Sequence, residues 1–300
     1  KVELFSDENR GRGVRATTLI EPETTLLIEN PYVMALEEEF RRNRCSFCCE
    51  ERENLRACGG CRFVHYCDRE CQASNYPNHQ YECKYLKSVE CDVGIRTRTL
   101  LIVIQKHLKT LQKRSKKVIT HNAQGFPLLP KELYTRKESA LPIEKPTVKP
   151  DMDHFWKFVK LKELPISEDL VQDFQRMLNA NMFSIYDDIQ HNIIGEGLFT
   201  RLAMFNHSCR PNCVFISIGR ENRIASLRPI SPGEECVINY VSLMSPTSSR
   251  QSKLKKWYDF DCDCKRCTQD TGKVTSIWPV MCVVLTSLGP SFRKRSSRLN

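Results

Sequence analysis

Cys45-Ser46-Phe47-Cys48, Cys58-Gly59-Gly60-Cys61, Cys67-Asp68-Arg69-Glu70-Cys71 and His79-Gln80-Tyr81-Glu82-Cys83 set eight metal-ligand residues into 39 positions. Two Cys-x2-Cys hooks followed by two x3 pairs supply enough donors for two tetrahedral zinc sites. Each site takes four Cys or His donors, and short hooks deliver them in pairs. Cys49 adjoins Cys48 and competes with it; the x2 spacing favours Cys48. The other use of such cysteines is a disulfide framework. That belongs to short secreted chains, and this one has 300 residues with no apolar signal stretch at its start.

Outward from this cluster, the length allows one large or two ordinary domains with a sizeable core. Sixteen cysteines in a long chain without a signal suggest metal sites in a reducing compartment, the nucleus and/or the cytoplasm. No run of 18 apolar residues exists, so no membrane span is expected. The chain begins at Lys1 rather than Met, so Lys1 need not be the natural N-terminus. The formal charge of +10 overstates the basicity. Eleven thiolates and three Zn2+ would change it by −5, to about +5. The basic runs Lys113–Lys117 and Arg293–Arg295 read as solvated loops, with nuclear import or nucleic-acid contact as their alternative use.

The pattern predicts a β-rich, mixed α+β chain. Residues 1–44 read as short strands. A short helix is predicted from Asp68 to Tyr76, stopped at Pro77. Residues 94–111 are helical, with Ile95, Leu100, Leu101, Ile104, Leu108 and Leu111 near the helical period. Residues 113–150 are basic and rich in proline, and read as a loop or partly disordered insertion. A second helix is predicted from Glu168 to Ala180, with Ser167 as N-cap. The runs Phe199–Met204, Cys213–Ile218, Arg223–Leu227 and Cys236–Tyr240 follow as strands. Downstream, Cys262-x-Cys264-x2-Cys267 leaves a third zinc one ligand short. Cys209 is the best candidate for the fourth, with Cys213 its nearest competitor.

Four further motifs add a resemblance. Arg10-Gly11-Arg12-Gly13-Val14-Arg15-Ala16 resembles the opening motif of SET domains, and Asn206-His207-Ser208-Cys209-x-Pro211-Asn212 the central one. Gly233-Glu234-Glu235-x4-Tyr240 resembles the final motif, and Cys262-x-Cys264-x2-Cys267 a post-SET zinc site. The 45–83 cluster resembles a MYND finger inserted into the SET domain. Together the motifs resemble the SET and MYND domain family of protein-lysine methyltransferases, over about residues 1–110 and 165–268.

The resemblance implies a SET-type fold of small sheets, split by the finger. Its parts would be an N-terminal SET part (1–44), the finger (45–83) and a helical or loop insertion (84–175). The SET core (176–243), the zinc-bound post-SET segment (244–268) and an irregular tail (269–300) would follow. Finger pairing would be interleaved: Cys45, Cys48, Cys67 and Cys71 on one zinc, and Cys58, Cys61, His79 and Cys83 on the other. Cys209 would join Cys262, Cys264 and Cys267 on a third. S-adenosylmethionine would lie against Arg10, Gly11, Arg12 and Gly13, with Asn181, Asn206, His207 and Tyr240 also in contact. Phe260 would pack on its adenine. Phe183, Tyr240 and Tyr258 would line the lysine channel as catalytic residues.

The implied function is S-adenosylmethionine-dependent methylation of lysines on histones and/or other proteins. The alternative is a MYND adaptor or transcriptional regulator with a silent SET domain. The implied partners are a protein lysine and, at the finger, proline-containing peptides; nucleic acid is a weaker expectation. Two departures stand out. Residues 113–150 do not match the family segment that adds cofactor contacts. The usual C-terminal helical domain has no counterpart in the 33 residues after Cys267.

Overall fold

The structure is a computed structural model and describes residues 1–7, 11–89, 93–112, 133, 152–187 and 192–269. In chain order the first strands are β1 (Val2–Asp7), β2 (Gly11–Ala16), β3 (Thr25–Glu29) and β4 (Val33–Leu36). The finger holds β5 (Arg56–Ala57), β6 (His65–Tyr66) and helix α1 (Arg69–His79). Helices α2 (Cys83–Ser88), α3 (Ile95–Gln112), α4 (Met152–Leu161) and α5 (Glu168–Asn181) come next. Strands β7 (Met182–Tyr186), β8 (Ile193–Leu198), β9 (Asn206–His207), β10 (Cys213–Ile218), β11 (Glu221–Ser226) and β12 (Val237–Ile238) follow. Helices α6 (Thr247–Tyr258) and α7 (Lys265–Gln269) end the described chain. None of the described helices is long and apolar enough to cross a membrane.

The chain forms two compact units. The first comprises Lys1–Ile28, Met204–Ile216 and the chain from Arg223 onward. In it β1 and β2 pair antiparallel, from Val2 opposite Ala16 to Asp7 opposite Gly11. Residues 233–236 run beside β2, with Cys236 N–H on Val14 O and Ala16 N–H on Glu234 O. Just beyond, β12 pairs with β9 in parallel, Val237 opposite Asn206 and Ile238 opposite His207. Parallel neighbours cannot be joined by a tight turn. The chain between them therefore leaves as the β10–β11 hairpin, whose sheet β3 completes, and then returns.

Helix α6 buries Arg250 and Leu254, one turn apart on one face. It stops at Asp259, which takes the left-handed conformation (φ 57°) and donates its N–H to Lys255 O. Lys255 and Lys256 in the last turn suit the negative end of the helix.

The second unit comprises Glu29–Ala203 and Ser217–Asn222. Its sheet is antiparallel, in the order β4-β8-β7. At Gly195 on β8 a Cβ would stand 2.5 Å from Ala35 O, so only glycine lets β4 approach. The predicted helix over 94–111 is α3, buried from Ile95 to Ile104. The predicted helix from Glu168 is α5, and Ser167 caps it by accepting the N–H of Leu170.

Two expectations are corrected. Helix α1 runs through Pro77 to His79 instead of stopping before it. Near the end of an 11-residue helix a proline forfeits a single N–H bond, and Gln80 N–H resumes the ladder on Tyr76 O. The run Phe199–Met204 is not a strand: it turns into a 3-10 helix over Leu202–Met204. The buried Glu29 carboxylate causes this, accepting the N–H groups of Arg201 and Leu202 and the Thr200 hydroxyl. The expected loop at 113–150 and the tail beyond 269 lie, apart from Leu133, outside the described residues.

Candidate active site and metal centres

Twelve side chains gather into three groups of four: Cys45, Cys48, Cys67, Cys71; Cys58, Cys61, His79, Cys83; and Cys209, Cys262, Cys264, Cys267. Within each group all ligand atoms lie within 4.8 Å of one another. Four sulfurs at about 2.3 Å from a zinc stand about 3.8 Å apart along the edges of their tetrahedron. The Sγ–Sγ distances of 3.6 Å for Cys48–Cys67, 3.9 Å for Cys58–Cys83 and 3.6 Å for Cys209–Cys267 match such edges. All twelve are free thiols or imidazole. Donor type, number and spacing therefore suit three zinc ions. Cys213, the competitor of Cys209, lies buried with its thiol on Cys236.

In the finger, His79 aims Nε2 at Cys58 and Cys61 (3.3 and 3.6 Å) and Nδ1 at Glu82 Oε1 (3.0 Å). A carboxylate behind a ligating imidazole fixes its tautomer and orientation. Glu82 is buried, which alone would raise its pKa. The Arg98 guanidinium, donating to both its oxygens at 2.8 and 3.0 Å, and His79 bring it down to about 2. Neither Glu82 nor Arg98 announces itself as buried in the sequence, although the three-residue spacing of His79 and Glu82 across the turn between α1 and α2 is a usable signal.

The third group lies in the first unit beside a cluster of rings. His207 and Tyr240 have centroids 5.3 Å apart, His207 and Phe260 5.9 Å, and Tyr240 and Tyr258 4.8 Å. Tyr240, Tyr258 and Phe260 pack with the core that holds Cys209 and Cys262. The imidazole of His207 joins the two parts. Its Nδ1 accepts the N–H of Tyr240 at 2.9 Å, so its proton sits on Nε2, 3.3 Å from Cys209 Sγ. Burial pushes its pKa down to about 4, so the ring is neutral. The Tyr240 hydroxyl donates to Phe205 O at 2.7 Å.

Along β2 the geometry is equally constrained. Asn206 Nδ2 donates to Arg12 O (3.0 Å) and to Glu235 Oε1 (2.8 Å). Asn212 braces the same segment, donating to Glu235 O and accepting the N–H of Val237. The glycines differ in their roles. Gly11 has φ +73° and open space where a Cβ would go. At Gly13 a Cβ would stand 2.8–2.9 Å from Phe5, Glu235 and Asn206, so only glycine lets these side chains close on β2.

Arg10 lies outside the described residues. Asn181 and Phe183 belong to the second unit. There Asn181 donates to Met177 O at 2.7 Å in the last turn of α5. The Phe183 ring stands edge-on to Phe199, 6.1 Å away. Glu235 and Asn212, quoted within motifs but given no role, and Arg250 are the contributors that pattern reading missed.

A cysteine-rich finger, a third zinc-type group and a ring cluster held by an Asn-His motif define a SET-type fold. The chain belongs to the SET domain family, which matches residues 11–241. It is 28% identical over 283 residues to histone-lysine N-methyltransferase Smyd1 of Mus musculus, covering 89% of this chain and 55% of that protein. It is 30% identical over 275 residues to histone-lysine N-methyltransferase SMYD3 of Mus musculus (90% and 62%). With N-lysine methyltransferase SMYD2 of Sus scrofa the figures are 29% over 284 residues (91% and 62%). The chain thus spans 55–62% of the length of these relatives. A solved structure of the SET domain of LSMT bound to lysine and AdoHcy aligns over 87% of this chain and 52% of that one. The TM-score of that alignment is 0.36, at 10% identity. The kinship with SET and MYND proteins read from the motifs is borne out.

Proposed function

We propose that the protein is an S-adenosylmethionine-dependent protein-lysine N-methyltransferase acting on histone and/or other protein lysines. The observation that carries this reading is the Tyr240 hydroxyl, fixed on the Phe205 carbonyl inside the four-ring cluster. The names of the relatives support the same class. When bound, the cofactor supplies a methyl group on a sulfonium, open to in-line attack by an amine.

The chain's own residues then have three tasks. The amine must arrive neutral, although free lysine has a pKa near ~10.4. Aromatic walls at Tyr240 and Tyr258 desolvate the ammonium and so disfavour it, after their ring faces have guided the cation in. The Tyr240 hydroxyl has spent its proton on a carbonyl, so it presents lone pairs. It can accept a hydrogen from the amine and orient it, but it cannot act as a base at neutral pH. Asn206 and His207 hold the backbone of Arg12 and Tyr240 in register, and much of the rate comes from alignment of this kind. Asn181 and Phe183 are assigned to the same cofactor and lysine sites on the motif alone.

The test is methyl transfer from labelled cofactor to a protein mixture, with Tyr240→Phe as control. The variant should fold, losing about 1 kcal/mol with its hydrogen bond, and should transfer at least about tenfold more slowly. Zinc-replete, folded protein that neither binds the cofactor nor transfers methyl overturns the reading. Two lesser parts of the proposal stand apart. A proline-containing peptide at the finger is tested by peptide titration, and residence in the nucleus and/or cytoplasm by cell fractionation.

A further inference from the structure

A zinc held by four thiolates carries two negative charges. Cys209 and Cys262 are buried, and a buried charge needs a partner. On the other side stands Arg250, which is 1% exposed. Its Nε donates to Cys209 Sγ at 3.2 Å, and one Nη2 hydrogen points to Cys267 Sγ at 4.0 Å. Nη1 donates to Ser245 O (2.6 Å) and Nη2 to Thr247 Oγ1 (2.7 Å). None of these four partners is a carboxylate. Among the described residues, a buried guanidinium with no carboxylate at hydrogen-bond distance and a buried tetrathiolate with excess negative charge thus meet.

The placement of Arg250 on α6 gives this pairing a consequence. The same helix ends at Tyr258, and the chain then runs through Asp259 to Phe260 and Cys262. We propose that Arg250 is a positioning residue: it supplies the positive charge that the third zinc's four thiolates lack, and through α6 it fixes where Tyr258 and Phe260 stand. The guanidinium suits this task because its planar, permanently charged fork serves sulfur and backbone at once. The inference rests on the third cysteine group holding zinc and stands apart from the methyl-transfer reading.

The experiment uses the full chain, loaded with zinc. Zinc per chain is counted, its release into a chromogenic chelator is timed, and Trp257 emission reports the end of α6. Arg250→Met keeps the stem and removes the charge; Arg250→Lys keeps the charge without the planar fork. Lys255→Met removes a charge from the same helix at an exposed site. Losing an outer-shell partner typically weakens a metal site about 10–100-fold. One zinc of three should therefore leave Arg250→Met about 10–100-fold faster, with shifted emission, while the other two leave at their former rates. Arg250→Lys should fall between, and Lys255→Met should match the parent. The proposal is overturned if Arg250→Met releases all its zinc at the parent rate. It is also overturned if Lys is no slower than Met, if Lys255→Met is as fast as Arg250→Met, or if the parent holds only two zincs. Should Arg250→Met not fold, Arg250→Gln takes its place, and release from Gln no faster than from Lys overturns the proposal.

Discussion

The finger's second zinc-type site and the post-SET site use the same chemistry but balance their charge differently. In the finger, three cysteines and His79 are backed by Glu82, and Glu82 by Arg98, so a carboxylate stands between the metal group and the cation. At Cys209, among the described residues, no carboxylate intervenes: Arg250 and His207 both address the sulfur directly. The first arrangement fixes an imidazole and ties the finger to α3. The second ties the metal group to the backbone of Tyr240 and to the helix that ends at Tyr258. One site thus serves local architecture, and the other is wired to the residues assigned to chemistry.

The strongest way to break this contrast is to remove one zinc from each region. Cys264→Ser and Cys67→Ser should each lower the zinc count from three to two by elemental analysis. Methyl transfer should fall about 100-fold or more for Cys264→Ser, since misplacement near 1 Å costs that much, and only a few-fold for Cys67→Ser. Equal losses would erase the distinction. A large stability effect is expected at Glu82→Gln, which leaves Arg98 buried without its charge partner. Breaking one half of such a pair costs about 3–5 kcal/mol, readable in urea unfolding.

Next comes Gly13→Ala, whose methyl would meet Phe5, Asn206 and Glu235 at 2.8–2.9 Å. Overpacking of this kind costs about 1–3 kcal/mol, and Asn206 should lose its grip on Arg12 O. A cofactor titration weakened along with the unfolding midpoint would sharpen the role of β2; a neutral result would remove it.

The smallest effect concerns pH. Lys106 lies over the Tyr32 ring at 3.8 Å and donates to Asn78 Oδ1 beside the finger's His79. Burial pushes its pKa down to about 8 from 10.5. The unfolded chain then binds this proton more tightly than the folded one. Lys106 therefore contributes stability that is full above pH 10.5 and lost as pH falls through about 8. The unfolding midpoint should rise across that window, and Lys106→Met should flatten the rise.

The cysteine spacing made the finger legible, because short hooks leave few ways to build a tetrahedron. The Asn206–Asn212 and Gly233–Tyr240 motifs were legible for a similar reason: small polar residues in fixed order brace one strand crossing. What escaped was charge turned inward. Arg250, Glu82, Arg98 and Glu29 are all buried, yet a pattern of polar and apolar letters assigns them to the surface. Helix α6 escaped with Arg250. Half of its buried face is that arginine, and Leu254 alone gives no helical period. The turn at Leu202–Met204 escaped because its cap, Glu29, comes from far along the chain. The packing of Phe5, Asn206 and Glu235 against Gly13 escaped as well, because these three residues come from distant parts of the chain.

The parallel pairing of β9 with β12 and the antiparallel pairing of residues 233–236 with β2 also set an order of assembly. The finger's eight ligands lie within 39 residues and can close while the chain is still being synthesised. Val14 must wait for Cys236, more than 200 residues later, and Cys209 for Cys267. Contacts this distant in sequence form late. The third zinc is therefore the last to be captured, and a chain made under zinc shortage completes its finger while the segment carrying Tyr258 and Phe260 is still unanchored.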